Sequence, residues 1–418
     1  MKTIAIIGGG ITGVTTAYAL AKRGFDVTLF ERHRYAAMET SFANGGQLSA
    51  SNAEVWTHWS TILKGLKWML KSDAPLLVNP APTWHKLSWF AEFIASIPHY
   101  ERNTVETARM AVAARQHLFA WAAEEGIDFD LKREGILHIY RDKKGFDHAG
   151  KVSELLAKGG LPRRAVTPSE MKAIEPTLAG TYYGGYFTES DSTGDIHKFT
   201  NGLAAAAQRL GVRILYGQDV TAVHSTGSQA VVTVAQQDAT PSVQTFDGLV
   251  ICAGVASRDF AAQLGDRVNI YPVKGYSITV NLTDAASQAG APNVSLLDDE
   301  TKLVTSRLGV DRFRVAGTAE FNGVNRDIRA DRIRPLIDWV EQCFPNINTR
   351  SVVPWAGLRP MMPNMMPRVG QGQASNVFYN TGHGHLGWTL SAVTADMLGH
   401  AVSSAARGVQ VPSRLQAA

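Results

Sequence analysis

The first 32 residues constrain the fold of this chain more than any other stretch. A short apolar run at residues 4–7 is typical of a buried parallel strand. It is followed by the pattern G-x-G-x-x-G at residues 8–13, a helix of small residues at 14–23, and a second strand at 25–30 that ends at Glu31. This order of strand, turn, helix, strand and acid predicts an α/β domain with a dinucleotide site.

The three glycines of the pattern, the start of the helix and the acid at Glu31 each have a physical role. Gly8 allows a tight turn from strand to helix, Gly10 lets a pyrophosphate approach the backbone, and Gly13 lets the helix pack closely on the strand. The start of the helix offers unpaired N–H groups to the anion. An acidic side chain at Glu31 can accept hydrogen bonds from a ribose hydroxyl.

Two other interpretations of the same stretch exist. One is a tight turn without a ligand. The other is a secretory signal, because residues 4–21 carry no charge and Ala17-Tyr18-Ala19 resembles a cleavage site. Four glycines inside the apolar stretch, and only Lys2 before it, argue against a signal and favour the dinucleotide site.

Length and charge limit the remaining possibilities. The 418 residues allow two domains, or one domain with an inserted partner. A net charge of +4, from 41 basic and 37 acidic side chains, gives no reason to expect nucleic acid. Cys252 and Cys343 are far apart and form no metal or redox motif, so we expect no metal site and a reducing, cytoplasmic location. No later uncharged apolar run approaches the roughly 20 residues of a membrane span.

Two amphipathic helices are predicted near the amino end. The first, at 61–71, has apolar residues on one face and Lys64, Lys67 and Lys71 on another. The second, at 84–97, is rich in tryptophan and phenylalanine. Such helices suit either a membrane surface or packing on the rest of the protein, and packing is the simpler interpretation. A polar, glycine-bearing segment at 39–53 comes before them; it cannot be a core element, and it suits either a ligand-binding loop or an ordinary surface loop.

The order of predicted elements indicates two domains. A helix at 195–210 and short strands up to Gly254 return the chain to a parallel sheet, with a small antiparallel element between 220 and 246. Strand follows strand from 269 to 319, which predicts an antiparallel sheet in a second domain. Near the carboxyl end, a glycine-rich turn at 381–387 joins a strand to a helix and offers a second set of backbone N–H groups.

Five motifs spread over the chain resemble those of the FAD-dependent amine oxidoreductases related to D-amino-acid oxidase, and most closely the bacterial D-amino-acid dehydrogenases (flavoprotein subunit). They lie at residues 6–13, 39–47, 271–277, 355–361 and 380–389. The last three are specific in combination, whereas the first is general to dinucleotide-binding proteins. One departure is the turn at 363–367, Pro-Asn-Met-Met-Pro, where the family commonly has Pro-Asp-Gly-x-Pro.

The resemblance implies an α/β fold with two parts. One is a Rossmann-like FAD-binding domain of the glutathione-reductase type, expected at 1–50, 150–260 and 350–418. The other is an α+β substrate domain with an antiparallel sheet, expected at 51–149 and 261–349, with a helical insertion at 55–100.

The resemblance also implies FAD as the cofactor. The residues expected to hold it lie in the first glycine turn, at the end of the second strand, in the polar segment, and in the second glycine turn. They are Gly8, Gly10, Ile11, Thr12, Gly13, Glu31, Arg32, Ser41, Asn44, Gly45, Gln47, Val220, Gly254, Gly384, Leu386, Gly387 and Thr389.

By the same resemblance, the reaction is oxidative deamination of a D-amino acid to a 2-oxo acid and ammonia, by hydride transfer from the α-carbon to the flavin. Arg359 matches the arginine that pairs with the substrate carboxylate, and Tyr276 would donate its hydroxyl to the substrate or cover it. His383 would tune the reduced flavin or cap the helix. Lys274 and Arg307 are weaker candidates, and each of the five also has a structural interpretation.

The partners implied are an amino-acid substrate, a quinone or other respiratory acceptor, and an anionic inner membrane contacted through the helix at 61–71. Two alternatives remain open from the sequence. One is an oxygen-using oxidase of glycine, sarcosine or proline-type amines, and the other is a flavin-binding structural subunit of a membrane complex.

Overall fold

The computed structural model describes residues 1–68, 74–236 and 239–415. The strands, in chain order, are β1 (Thr3–Ile7), β2 (Asp26–Glu31), β3 (Gln47–Leu48), β4 (Leu76–Val78), β5 (Ile136–Tyr140), β6 (Arg164–Val166), β7 (Gly184–Thr188), β8 (Ser192–Thr193), β9 (Arg213–Tyr216), β10 (Asp219–Ser225), β11 (Ala230–Gln236), β12 (Ala239–Phe246), β13 (Gly248–Ile251), β14 (Tyr271–Asn281), β15 (Ser295–Asp298), β16 (Leu303–Leu308), β17 (Arg312–Phe321), β18 (Val352–Met361), β19 (Arg368–Gln371) and β20 (Val377–Thr381). The helices are α1 (Ile11–Ala21), α2 (Trp59–Trp68), α3 (Trp84–Ala95), α4 (Tyr100–Glu124), α5 (Lys143–Lys158), α6 (Pro168–Ile174), α7 (Ile196–Arg209), α8 (Ser257–Gln263), α9 (Ala285–Gly290), α10 (Ala330–Cys343) and α11 (Gly387–Ala406). Four short 3-10 turns lie at Ala50–Asn52, Ile97–His99, Gly254–Ala256 and Gly384–Leu386.

The smaller of the two main sheets has the strand order β19-β20-β13-β1-β2-β9. β1 runs parallel to both β2 and β13, while β19 is antiparallel to β20. The carboxyl ends of β1, β2, β13 and β20 therefore lie along one edge of the sheet, which is where ligands bind in open α/β sheets.

Both faces of this sheet are covered, and β1 shows how. Ile4 and Ile6 pack into a core formed with α1, α4, α7 and α11. Ala5 and Ile7 face a second core formed with α8 and the three-stranded antiparallel sheet β10-β11-β12. Burial on both faces explains the uninterrupted apolar sequence of this strand. The predicted small antiparallel element between 220 and 246 is confirmed.

The larger sheet has the order β18-β14-β17-β16-β15-β5-β7-β6, with β4 also paired to β17. β14 is antiparallel to both β17 and β18. One face is covered by α10, whose Leu336 and Trp339 pack with Ile278, Val280 and Phe313. The predicted antiparallel sheet of the second domain is present, although β15 and β5 pair in parallel within it.

Strand pairing moves the predicted domain boundaries. We expected 150–260 and 350–418 in the FAD-binding domain, but β6 and β7 pair within the larger sheet, as does β18. The register of β18 with β14 runs from Tyr271–Met361 to Val280–Val352. Pairing between strands distant in the sequence is not visible in local composition, so the boundaries at 150 and 350 are wrong. The smaller sheet takes its strands from residues 3–31, 213–251 and 368–381.

Local caps and turns set the starts of three helices. α5 begins at Lys143, because Asp142 caps it by accepting a hydrogen bond from the Gly145 N–H at 2.7 Å. α4 begins at Tyr100, directly after a 3-10 turn. Thr167 and Glu170 form a capping box at the start of α6.

The two amphipathic helices near the amino end keep exposed apolar side chains. In α2, Trp59 is 58% exposed and Leu63 is 67% exposed, and in α3, Trp84 is 88% exposed. The other face of α3 is buried, with Trp89 and Phe93 in a core. The predicted basic face of the first helix, at Lys64, Lys67 and Lys71, lies outside the side chains that the structure describes, as do residues 69–73 entirely. No helix among the described residues is long and apolar enough to span a membrane.

Candidate active site

The glycine turn between β1 and α1 has the geometry predicted for it. Gly8 has a φ of +106°, and a Cβ there would lie 2.6 Å from the Cys252 carbonyl oxygen. A Cβ on Gly13 would lie 1.8 Å from the carbonyl oxygen of Gly8. A Cβ on Gly10 would meet only the Ser41 hydroxyl, at 3.5 Å. Gly8 and Gly13 are therefore needed to build the turn, while Gly10 leaves open space beside it.

The amino end of α1 is open to a ligand. Gly10 is its N-cap residue, and the first turn has neither a side-chain cap nor an acidic residue. The N–H of Ile11 donates to the hydroxyl of Ser41 at 3.1 Å. The positive end of the helix dipole, in the absence of a protein carboxylate in that turn, favours an anion in the adjoining space.

Glu31 lies at the end of β2 and is 7% exposed. Its Oε2 accepts a hydrogen bond from the Gly9 N–H at 2.6 Å, and its Oε1 accepts one from the His33 N–H at 2.8 Å. These two bonds orient the carboxylate at the edge of the turn. Carboxylate oxygens have further lone pairs, so Glu31 can still accept from a ribose hydroxyl.

Arg32 takes part in a charged cluster around Glu39. Both Arg32 and Arg326 form ion pairs with the Glu39 carboxylate, the latter at 3.0 Å. Burial raises the pKa of Glu39, but the His33 hydrogen bond and the two guanidinium groups outweigh burial and lower it. Because Arg326 follows β17, this cluster joins the two sheets across the mouth of the site.

The polar segment at 39–53 is largely buried, contrary to the expectation that it lies outside the core. The carboxylate of Asp191, which is fully buried, accepts from the N–H groups of Ala50 and Ser51, each at 3.0 Å. Arg115 pairs with the same carboxylate at 3.0 Å. A buried polar segment is stable when its hydrogen bonds are made, and Asp191 supplies them from a distant part of the chain.

The side chains predicted along this segment are close to the larger sheet. Gln47 donates to the Ser295 hydroxyl at 2.8 Å and to the Leu296 carbonyl oxygen at 3.0 Å. Asn44 accepts from the Gly46 N–H at 2.9 Å. Its neighbour Gly45 has no room for a side chain, since a Cβ there would lie 2.5 Å from Val304.

The second glycine turn follows β20. His383 is buried, and its Nε2 lies 3.0 Å from the Thr394 hydroxyl. Burial lowers the pKa of His383 to about 3, so its imidazole is neutral at pH 7. Thr389 accepts from the Ser49 N–H at 3.3 Å, which ties the turn to the polar segment. Gly384 has a φ of +59°, where an L side chain is rarely found.

Arg359 lies on β18, opposite Val273 of β14. Its guanidinium crosses Gly275, where a Cβ would lie 2.2 Å from Nη1, and Nη1 donates to the Thr318 carbonyl oxygen at 2.8 Å. Among the described residues no carboxylate forms an ion pair with it. Burial lowers the pKa of Arg359 to about 10, so the group is still cationic at neutral pH.

His385 lies near this arginine and connects it to the end of the polar segment. Burial, together with the charge of Arg359, lowers the pKa of His385 to about 4. The His385 ring stacks on Trp56, with centroids 4.8 Å apart, and its Nε2 lies 3.3 Å from the Asn52 carbonyl oxygen. The end of the polar segment is therefore next to the predicted carboxylate-binding group.

Tyr276 is 1% exposed, and its hydroxyl donates to Glu320 at 2.9 Å. Burial and this hydrogen bond raise the pKa of Tyr276. Lys274 lies 3.6 Å from the same carboxylate and donates to Asn325 at 2.5 Å. The hydroxyl of Tyr276 therefore has a partner within the protein, and Lys274 supports the same buried cluster.

Arg307 is outside the site. Its guanidinium donates to the Ala291 carbonyl oxygen at 3.2 Å and to Asn293 at 3.3 Å, and the residue does not line the cavity described next. These contacts are of the kind that the structural interpretation of Arg307 expects.

A single cavity of about 700 Å³ brings these parts together. Its wall includes every residue predicted to bind the cofactor except Gly13, and it also includes all three predicted catalytic residues. Gly13 acts through helix packing and not through contact. Val220 and Gly254 line the cavity on the side of the smaller sheet, and Arg359 lines it on the side of the larger one.

Sequence reasoning missed part of this wall. Ser51 and His138 are both buried, line the cavity, and are hydrogen bonded to each other at 2.8 Å. Glu54 and Trp56 also line it. None of these positions belongs to a recognisable motif, and only the fold brings residues 51–56 beside 138.

Comparison with known proteins gives consistent similarities. A family model described as FAD dependent oxidoreductase matches residues 3–401. The chain is 62% identical over 404 residues to the D-amino acid dehydrogenase 3 of Mesorhizobium japonicum, covering 97% of this chain and 98% of that protein.

Solved structures with much lower sequence identity share the fold. The glycine oxidase from Geobacillus kaustophilus superposes with a TM-score of 0.75 at 19% identity, covering 98% of this chain and 96% of that one. The L-proline dehydrogenase from P. horikoshii superposes with a TM-score of 0.76 at 17% identity, covering 98% and 94%. At these identities the likeness concerns the fold alone.

Proposed function

The chain belongs to the FAD dependent oxidoreductase family, and from this membership we propose that it deaminates D-amino acids oxidatively to 2-oxo acids and ammonia. The family match and the 62% identity to a D-amino acid dehydrogenase support this reaction. The single observation that carries it is the half-buried guanidinium of Arg359, which lines the same cavity as the dinucleotide-binding turn.

The residues present fit FAD. Space beside Gly10, the uncapped amino end of α1 and the oriented carboxylate of Glu31 suit a pyrophosphate and a ribose. The polar segment would hold the rest of the cofactor through Ser41, Asn44, Gly45 and Gln47. Val220, Gly254 and the second glycine turn complete the wall. FAD, when bound there, supplies the chemistry that accepts a hydride equivalent from the α-carbon.

Arg359 would bind the substrate carboxylate. A guanidinium can form two parallel hydrogen bonds to a carboxylate, which sets both position and orientation. The bond to the Thr318 carbonyl oxygen uses only part of Nη1 and leaves the other N–H groups for this purpose. Removing water from such a pair strengthens the attraction.

The imidazoles of the second glycine turn would contribute without adding charge. Burial lowers the pKa of His383 and of His385, so both are neutral at pH 7. We assign His383 a positioning role through its contact with Thr394, 3.0 Å away. Neutral imidazoles also do not oppose the approach of a substrate that carries an ammonium group. Tyr276 would cover the substrate with its ring while its hydroxyl stays on Glu320.

For the electron acceptor we propose a quinone or a similar respiratory carrier at a membrane surface. The exposed apolar side chains of Trp59, Leu63 and Trp84 on α2 and α3 support peripheral contact with a lipid surface. A formal net charge of +4 is compatible with an anionic surface.

One experiment tests the reaction directly. The purified protein, loaded with FAD, is mixed without oxygen with matched D- and L-amino acids and with glycine, sarcosine and proline. We expect D-amino acids to bleach the flavin absorbance and L-enantiomers not to do so. If only glycine or sarcosine bleaches it, and peroxide forms in air, the chain is an amine oxidase. If nothing bleaches it, the proposed reaction is wrong.

A further inference from the structure

Glu54 is a charged group in the cavity that neither cofactor binding nor carboxylate binding uses. It lies two residues before Trp56, whose ring stacks on His385. The charge of Arg359 adds to burial in lowering the pKa of His385. The side chain of Glu54 is 32% exposed and lines the cavity. Glu54 therefore lines the same cavity as the carboxylate-binding group and is connected to it through Trp56 and His385.

The surroundings keep Glu54 ionised. Burial disfavours the charge, yet contacts from His148 and Tyr100 outweigh burial and hold the pKa of Glu54 below its usual value. The Tyr100 hydroxyl donates to Oε1 at 2.6 Å, and His148 Nε2 lies 3.6 Å from the same oxygen. Lys302 adds a weaker attraction. Oε2 has no hydrogen-bond partner among the described residues, so one carboxylate oxygen remains available.

The cations in this part of the cavity are already engaged. Arg163 donates to the Ala149 carbonyl oxygen at 3.0 Å and to Ser153 at 2.8 Å. Its guanidinium carbon lies over the Tyr186 ring, 5.1 Å from the ring centroid. Lys302 forms an ion pair with Asp299. These contacts occupy both cations, while Oε2 of Glu54 keeps its hydrogen-bonding capacity.

The wall around Glu54 can also accommodate the stem of a long side chain. Ala149 and Val152 of α5 line the cavity together with Tyr140. A substrate held by its carboxylate at Arg359 would extend its side chain along such a wall. An aliphatic stem buries well against apolar groups while its charged tip reaches a carboxylate.

We propose that Glu54 binds the cationic tip of the substrate side chain, so that the enzyme prefers D-amino acids with a basic side chain, such as D-arginine or D-lysine. This inference rests on the proposed deamination of D-amino acids and names the class of substrate. The contact is a charge-assisted hydrogen bond from an ammonium or guanidinium to Oε2.

Pairs of substrates with matched shape test this preference. D-citrulline has nearly the shape of D-arginine without its charge. D-norleucine has nearly the shape of D-lysine without its charge. We expect kcat/KM of the FAD-loaded enzyme with an artificial dye acceptor to be roughly 10- to 100-fold higher for the charged member of each pair. A ratio near or below 1 for both pairs overturns the proposal. A preference for D-glutamate over D-glutamine also overturns it, since the cavity would then recognise an anion.

Glu54→Gln removes the charge but keeps the size of the side chain. We expect it to bring the D-arginine to D-citrulline ratio close to 1 by lowering the D-arginine value alone. Glu101→Gln removes the same charge from an exposed position on α4 and should leave the ratio unchanged. An equal loss for both substrates in Glu54→Gln indicates a structural role and overturns the proposal. If that variant does not retain flavin, the wild-type ratios decide.

D-alanine separates this inference from the proposed reaction. If D-alanine bleaches the flavin of the wild-type enzyme while the charge ratios are flat, only the role of Glu54 is wrong. If no D-amino acid bleaches the flavin, the proposed reaction itself is wrong, and the assignment of Glu54 is overturned with it.

Discussion

Replacing Arg359 by methionine separates its effect on catalysis from its effect on stability. Methionine keeps the length and the apolar stem of the side chain and removes the charge. Losing one partner of a buried, hydrogen-bonded charge pair costs about 2–5 kcal/mol, which corresponds to a roughly 30- to 4,000-fold loss of kcat/KM for D-amino acids. The kcat/KM of Arg359→Lys should fall between that of the wild type and that of Arg359→Met, because an ammonium cannot bind a carboxylate bidentately.

Arg359→Met lowers kcat/KM but should leave the stability of the folded protein unchanged or raise it slightly. Burial lowers the pKa of Arg359 from its ordinary value to about 10. At pH 7, below both values, the folded protein holds a cation that is more stable in the unfolded chain, a penalty on the order of 3 kcal/mol before correction for partial exposure. The hydrogen bond to Thr318 offsets about 1 kcal/mol of this. We therefore expect Arg359→Met to leave Tm unchanged or to raise it slightly.

The assay combines steady-state kinetics with a dye acceptor and a thermal melt of the FAD-loaded protein. Arg307→Met is the matched control, because Arg307 lies on the same sheet, is bonded to main-chain oxygens and does not line the cavity. We expect its kcat/KM to stay within about twofold of the wild type, as for a surface substitution of small effect. An unchanged kcat/KM in Arg359→Met, or a large fall in Tm with it, would refute the reasoning.

The other predictions concern the cofactor, the pH dependence and the membrane surface. Glu31→Ala should weaken FAD binding by about 10- to 100-fold through the loss of charge-assisted hydrogen bonds, as measured by flavin content after dialysis; full retention contradicts its ribose role. Gly13→Ala should not yield folded protein because its Cβ would lie 1.8 Å from a carbonyl oxygen, whereas Gly10→Ala should fold yet lose flavin; equal behaviour of the two would count against this division of roles. Binding of a 2-oxo acid should weaken above pH about 10, since Arg359 then loses its proton, and a titration of flavin absorbance against pH checks this sign. Trp84→Ser should reduce cosedimentation with anionic vesicles; unchanged cosedimentation would exclude α3 from the contact.

Local interactions explain why much of the cofactor site could be predicted from the sequence. The turn at 8–13 depends on a tight backbone conformation and close helix packing, both of which are properties of neighbouring residues. The same is true of the second glycine turn, where Gly384 has a positive φ. The structure brings both turns to the edge of one parallel sheet, as the resemblance implied.

The larger sheet was harder to delimit. Nothing in the composition of β6, β7 and β18 says which sheet they join. Membership follows from register with strands distant in the chain, such as β14 with β18. The boundaries at 150 and 350 were wrong for this reason.

The sequence by itself determined where a dinucleotide can be held, because a glycine turn, a helix start and an acid act over a few neighbouring residues. Only the tertiary structure decided which side chains complete the cavity wall and what they contact. Glu54 meets Tyr100 and His148, and Ser51 meets His138, through contacts between segments far apart in the chain. Whether a carboxylate is a surface charge or a ligand for a substrate depends on its burial and its partners, and these arise only when distant segments pack together.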